Sequence, residues 1–284
     1  MKRKNFRFSI LIKETKATLA IAKNIWKLDL AYPMSALYFI FAPFLWYSPF
    51  LLFAYFMAGG RNSETFGAIT GYSDVITYLA LGASFALLVF TSMWSTAFGL
   101  RREQWMGTLE AVYSAPVSRF SIVLGHSLHS VSHIGLGVLM QIIMLHLLIG
   151  LQLNYWGLIP SLLAVGLAVI SLQAIGLILS SIVITAKQGW MVAEFVGDVL
   201  YIFTPVAYPI TILPEYIRFL AYYNPTYYGT EAFRGFLLFG LEFSQGWWLL
   251  FVLTIINLVA LAVGYFIFQK TDHYIRNKGS LNKF

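Results

Sequence analysis

The chain has 284 residues, 59% of them hydrophobic and only 11% charged, and a mean hydropathy of +0.73. That balance leaves too few polar groups to hydrate the surface of a soluble domain and marks an integral membrane protein. The net charge of +7 calls for no nucleic-acid partner, because the basic residues flank apolar runs where anionic lipid headgroups attract them, and the lack of cysteine excludes disulfides and thiolate metal sites.

The N-terminal stretch MKRKNFRFSILIKETK is basic but has neither a compact apolar segment nor a small-residue cleavage site, so it does not read as a signal peptide. Residues 8–28 are expected to form a helix lying on the membrane surface. On a helical wheel Ile10, Ala17, Ile21, Ile25 and Leu28 gather on one side, with Lys13, Lys16, Lys23 and Lys27 on the other. Such a helix serves equally as a plain positive anchor or as a dock beside a cytoplasmic partner. Residues 1–33 are thus assigned to a cytoplasmic amphipathic helix and 34–284 to one membrane domain, with no internal repeat or low-complexity linker.

Six stretches of that domain are long and apolar enough to cross a bilayer: 34–58, 75–98, 121–149, 158–184, 190–210 and 247–269. They do not alternate as barrel strands would, and backbone in lipid must satisfy its own hydrogen bonds, so the expected fold is all-α with six transmembrane helices. With the N-terminus inside, 16 of the 19 basic residues fall on cytoplasmic segments and only Arg61, Arg218 and Arg234 lie outside. Both termini are therefore expected in the cytoplasm, with the chain in the cell membrane. Pro43 and Pro49 in the first span can kink it, although membrane helices tolerate proline, and Gly59-Gly60 reads as a loop break.

Between spans two and three the chain spends residues 99–120 where a bare turn needs only a few. Glu103 to Tyr113 carries Trp105, Met106, Leu109 and Val112 or Tyr113 at helical spacing, which predicts a short amphipathic helix. Pro116 should end it, and Ser118, with Ser121 as an alternative, should cap the next span. A short helix held between two spans is a mechanical handle; its plain alternative is an interfacial helix resting on lipid. Residues 205–246 are proline-rich and aromatic, too broken to span, and fit short re-entrant helices dipping into the outer leaflet.

The chain carries no phosphate-binding loop, no zinc-protease helix motif and no nucleophile elbow, so it brings no evident reaction of its own. His126, His129 and His133 share one face of span three. A metal site or proton relay uses such a row, but with no carboxylate or cysteine nearby in sequence the ordinary reading is helix-to-helix hydrogen bonding. Glu194 and Asp198 lie one turn apart in span five. They either line a substrate or gating path, since ionised carboxylates are costly in lipid, or sit in the cytoplasmic interface with Lys187 or Arg102 as partners.

Two stretches carry a resemblance. Residues 103–119, EQWMGTLEAVYSAPVSR, resemble the cytoplasmic signature of ATP-binding-cassette (ABC) type-2 exporter permeases, E-x-x-x-G-T-x-E…P-x-S-R after span two. YPITILPEYIRFLAYYNPTYYGTEAFRG is similar to the family's P-x-x-x-L-P…N-P…E-x-x-R block before the last span. The resemblance implies a permease whose loop helix couples to a separate cytoplasmic ATPase that carries ATP and Mg, while this chain binds no cofactor. It also implies pairing with a second permease half, homo- or heterodimeric, in membrane lipid. Glu103, Gly107, Thr108, Leu109 and Glu110 match the coupling motif, with Trp105 on the same predicted helix, and Pro116, Ser118 and Arg119 match its exit. Pro209, Leu213, Pro214, Asn224, Pro225, Glu231 and Arg234 match the outer block, which packs near the outer gate in the family. The expected function is ATP-driven export of an amphipathic or hydrophobic molecule such as a drug, lipid-linked compound or peptide. The alternatives are a polysaccharide exporter permease, an ion- or proton-coupled carrier using the histidine row with Glu194 and Asp198, and a non-transporting membrane component.

Overall fold

The computed structural model describes the backbone of residues 2–278 and the side chains of residues 12–277. Ile10 of the amphipathic wheel and Lys278 and Lys283 of the basic tail lie outside the described side chains. Among the described residues the chain is a helical bundle whose one β pairing is an isolated bridge between Asn62 and Asp74. Five helices are long and apolar enough to cross a membrane: α2 (Pro33–Met57), α4 (Val75–Trp105), α6 (Arg119–Ile149), α7 (Leu158–Thr185, extended by a turn from Tyr155) and α11 (Phe243–Lys278). α1 (Lys2–Leu30), α3 (Glu64–Thr70), α5 (Leu109–Ser114), α8 (Gly189–Ile202), α9 (Glu215–Arg218) and α10 (Pro225–Leu237) complete the set.

α4 is the axis of the bundle. Its Leu81, Phe85, Val89 and Met93 are fully buried against Ala164, Ala168 and Leu172 of α7 and Phe236 of α10. Lipid gives no hydrophobic push between helices, so close approach depends on small residues. A Cβ placed on Gly176 of α7 would lie 2.7 Å from Thr96 Cβ and 2.8 Å from the Met93 carbonyl oxygen, which shows how near the two backbones come. α2 contrasts with this axis: Leu37, Trp46, Leu52, Phe53 and Phe56 are exposed, a surface for lipid or another membrane subunit.

The fifth apolar run differs from its expectation. The sequence reads as one crossing over 190–210, but α8 ends at Ile202 after 14 residues, about 21 Å at roughly 1.5 Å per residue. The Thr204 hydroxyl donates to the Leu200 carbonyl at 2.7 Å, and Pro205, with no N–H to give, closes the helix. α10 takes up the next level along the same neighbours. Gly197 of α8 abuts Met93 and Trp94, Gly229 of α10 abuts Phe85 and Ala168, and the Phe236 carbonyl presses on Gly157. Asn224 fastens the two helices: its Oδ1 accepts from the Thr226 amide at 3.1 Å, capping α10, while its Nδ2 donates to Leu200 O of α8 at 2.9 Å.

α1 lies along the first half of α6. Glu14 accepts from the Ser118 amide at 3.1 Å and from the Ser121 hydroxyl at 2.6 Å, and fifteen residues on, Asp29 meets His129 at 2.7 Å. Between them Ile21 packs on Gly125, where an added Cβ would lie 2.7 Å from Ile21 Cγ2. The face of α1 turned to α6 is thus partly polar, while Lys13, Lys16, Lys23, Lys27 and also Leu28 stay exposed. Burial raises the Glu14 carboxyl, but the hydrogen bonds from Ser121 and Ser118 outweigh it and hold the group below the usual carboxylate range.

At the opposite end of the bundle Arg61 joins three elements. It forms an ion pair with Asp74, the N-cap of α4, at 2.6 Å and donates to the Ile149 and Gly150 carbonyls at the end of α6, the Gly150 bond being 2.8 Å. A cation at a helix C-terminus meets the negative end of the macrodipole and satisfies carbonyls that have no partner within the helix.

Candidate functional site

The segment that links α4 to α6 is built differently from the single helix expected over Glu103 to Tyr113. α4 continues through Trp105, and the break falls on Gly107, whose φ is +70°. Around it the Thr108 amide bonds to Glu103 O at 2.9 Å and the Gly107 amide to Gln104 O at 3.1 Å. This is the paired reverse bond pattern of a Schellman C-cap, which needs the left-handed backbone that glycine adopts without a Cβ penalty. Glu103 and Trp105 therefore belong to the last turn of a long helix, and the separate helix α5 holds only Leu109 to Ser114.

Glu103 then ties that turn to its neighbours. One carboxylate oxygen accepts from the Thr108 hydroxyl at 2.5 Å, and the other meets His126 Nε2 of α6 at 2.8 Å. Of the motif residues that follow, Leu109 is buried among Leu100, Ile122, Val123, Phe268 and Ile275, and Val112 and Tyr113 pack against the same cluster, so α5 is anchored into a core shared by α4, α6 and α11. Trp105, Met106, Gly107, Thr108, Glu110 and Pro116 are exposed, Trp105 being 67% accessible.

The exit of the segment is equally constrained. Ala115 is extended, as the residue before Pro116 must be. Ser118 caps α6, its hydroxyl accepting from the Ser121 amide at 3.1 Å. The Arg119 guanidinium donates to Tyr113 O at 2.7 Å and Val117 O at 3.2 Å, lies over the Tyr113 ring at 4.7 Å, and stands 3.9 Å from Asp272 of α11. α5 is thus held at its start by Glu103, through its middle by Leu109 and at its end by Arg119. The unit is thereby joined to α4, α6 and α11 together.

The histidine row divides its partners. His126 takes Glu103, while His129 and His133 of α6 face Asp29 of α1, at 2.7 and 3.4 Å. The sequence shows no carboxylate near these histidines because the partners come from 23 and about 100 residues away. No local signal marks Asp29 as one of them.

The remaining predicted residues fall in two other places. Glu194 and Asp198 are exposed on the side of α8 away from its buried Ala193 and Gly197, beside exposed Met191 and Phe195. Among the described residues no ion pair joins them to Lys187 or Arg102. In the outer block, Pro209 precedes a 3-10 turn, Pro214 stands at the start of α9, Asn224 and Pro225 open α10, and Glu231 is half-buried. Arg234 is 2% exposed, stacks over Tyr78 at 3.8 Å, donates to Tyr78 O at 3.2 Å, and also reaches the carbonyls of Pro205 and Val206. It locks the chain after α8 to α10 and the start of α4. Among the described residues no hydrogen bond or ion pair connects the histidine row with Glu194 or Asp198.

Comparison with curated proteins finds no match. The family model described as ABC-2 type transporter matches residues 59–238, which takes in α3 through α10 and hence both the α4–α6 link and the outer block. With that match covering more than half of a chain built of membrane-length helices, the protein belongs to the ABC-2 type transporter family and is a transmembrane transport permease.

Proposed function

We propose that the chain is the membrane half of an ATP-driven exporter, energised by a separate cytoplasmic ATPase that docks on the segment from Trp105 to Pro116. The observation that carries this reading is the construction of that segment. Its exposed residues Trp105, Met106 and Glu110 project from a unit fastened to α4, α6 and α11 by Glu103, Leu109 and Arg119. A surface meant only to rest on lipid has no need of such fixation; a handle that passes on the closure of a partner does. ATP favours the closed ATPase pair, and its differential affinity for that state is the free energy available to reorganise the permease.

In this reading the end bearing Arg101, Arg102, Arg119 and Lys187 faces the cytoplasm with both termini, and α8 and α10 together form the sixth crossing. The exposed carboxylates Glu194 and Asp198 are expensive against lipid. Their position is economical when α8 faces a wet path or a second permease half. The exposed apolar residues Met191, Val192 and Phe195 beside those carboxylates on α8 favour an amphipathic or hydrophobic cargo. The test is permease-dependent ATP hydrolysis in membranes containing the chain and its co-purifying ATPase. Stimulation that disappears on changing Glu110 supports the reading, and transport that persists with no associated ATPase overturns it.

A further inference from the structure

We propose that Asp29, His129 and His133 form a binding site for a divalent transition-metal ion of the zinc class, fastening α1 to α6. The three ligand atoms, a carboxylate oxygen and two imidazole nitrogens, lie within 4.8 Å of one another on half-buried or buried residues. Two ligands of a tetrahedral ion with bonds of about 2.0–2.1 Å stand about 3.3 Å apart. The Asp29 to His133 Nδ1 distance is already 3.4 Å, the 2.7 Å Asp29 to His129 Nε2 contact must open by about 0.6 Å, and the two imidazole nitrogens, within 4.8 Å of each other, are brought to that spacing by rotation of their side chains.

The donor set points the same way. One carboxylate with two neutral imidazoles suits zinc and its neighbours, whereas calcium and magnesium select all-oxygen cages. His129 and His133 succeed each other by one helical turn, so α6 presents both rings on one face, and Trp26 packs edge-on against both at 5.3 and 5.1 Å and fixes their planes. Trp26 is itself held by a 3.0 Å hydrogen bond to Ser132. The ring nitrogens turned away from Asp29, His129 Nδ1 and His133 Nε2, are buried and have no hydrogen-bond partner among the described residues. The 3.4 Å contact leaves His133 Nδ1 only weakly engaged by Asp29, while a shared ion would engage His129 Nε2 and His133 Nδ1 together, each imidazole then carrying its proton on the outward nitrogen.

The site opens on a cavity of about 430 Å³ that is also lined by Arg102, His126 and Ser130. Three protein ligands would leave the fourth position of a tetrahedral ion for water or an anion, and the Arg102 charge favours an anion. The metal bridge would set α1 against α6 next to His126, which grips Glu103 at the base of α5.

Zn²⁺ titration of the untagged, detergent-purified full chain after chelator treatment tests this, with bound metal measured by mass spectrometry and Co²⁺ substitution read by its visible ligand-field absorption. One ion per chain is expected. His129→Ala and His133→Ala should each weaken binding by about 100-fold or more, since even loss of an outer hydrogen-bond partner costs about 10–100-fold. Asp29→Asn and His133→Gln, which keep size and polarity, should lose the Co²⁺ spectrum while eluting as folded protein. His273→Ala, an exposed histidine on α11 outside the site, should bind as the native chain does. Absence of stoichiometric Zn²⁺ binding by the native chain, or undiminished binding by the His129→Ala/His133→Ala chain, overturns the proposal.

Discussion

Glu103 at the end of α4 and His126 on the second turn of α6 meet at 2.8 Å, and the same carboxylate holds the Thr108 hydroxyl that begins α5. One side chain therefore fixes the angle between two membrane helices and the handle they carry. Glu103→Ala should lower stability by about 2 kcal/mol, the scale of losing hydrogen bonds to a charged group. It should reduce ATPase stimulation more than it reduces folded protein. Glu103→Gln, which keeps an acceptor for Thr108, should fall between the two. Thermal unfolding in detergent beside ATPase assays in membranes separates the effects; equal loss in both would reduce Glu103 to a structural role.

Gly107 tests the turn itself. Among the described residues no atom lies within 4 Å of a Cβ built there, so substitution is resisted by the backbone φ of +70° and not by crowding. Gly107→Ala should cost about 1–2 kcal/mol, the left-handed penalty for an L-residue, and Gly107→Asn less, because asparagine tolerates that region. Gly107→Val should be the worst of the three. Melting temperatures in that order support the cap, and insensitivity to all three contradicts it.

Docking of α1 depends on Gly125, where an added Cβ meets Ile21 Cβ at 2.8 Å and Thr18 O at 3.1 Å. Gly125→Leu should push the helices apart. Because the chain has no cysteine, thiols introduced at Thr18 and Ser121, whose Thr18 Oγ1 to Ser121 O distance is 3.3 Å, report the contact directly. Oxidation should link this pair readily in an otherwise native chain and several-fold less in the Gly125→Leu background.

Acid should act at the opposite end. Burial raises the Asp74 carboxyl, but hydrogen bonds from Arg61 and Thr77 outweigh it and hold the group below the usual range. A depressed folded value means that its stabilisation is fully present above the unfolded pKa of about 3.9 and is lost as pH falls through the lower folded value. Asp74→Asn should lower stability at neutral pH and flatten the acid limb of the pH–stability profile. An unchanged acid limb would show that the Arg61–Asp74 pair carries no pH-dependent stability.

The parts of the fold legible in the sequence are those with a local cause. Long apolar runs place α2, α4, α6, α7 and α11, and the Ser118 cap follows from a serine ahead of an apolar run. The run through 190–210 carries the same signal, but the chain leaves the helix after Ile202, where Asn224 and Arg234 reach back from α10 to the carbonyls of Leu200, Pro205 and Val206, long-range contacts that apolar periodicity does not report. The start of the segment linking α4 to α6 is obscured because helical spacing continues through Trp105; the glycine at 107 is the better boundary signal. The motif positions Glu103, Gly107, Leu109 and Arg119 are brought to one place. Asp29 joins the histidine row only through the packing of α1 on α6.

The central claim is that energy enters through the surface from Trp105 to Pro116. Single cysteines at Trp105 and Glu110 in the cysteine-free chain, carrying a short photo-crosslinker, test it in membranes that contain the working ATPase. The account predicts adducts to the ATPase from both positions and none from Glu64 on α3 at the opposite end. Adducts from Glu64, or none from Trp105 and Glu110 while ATP-dependent transport continues, would contradict it.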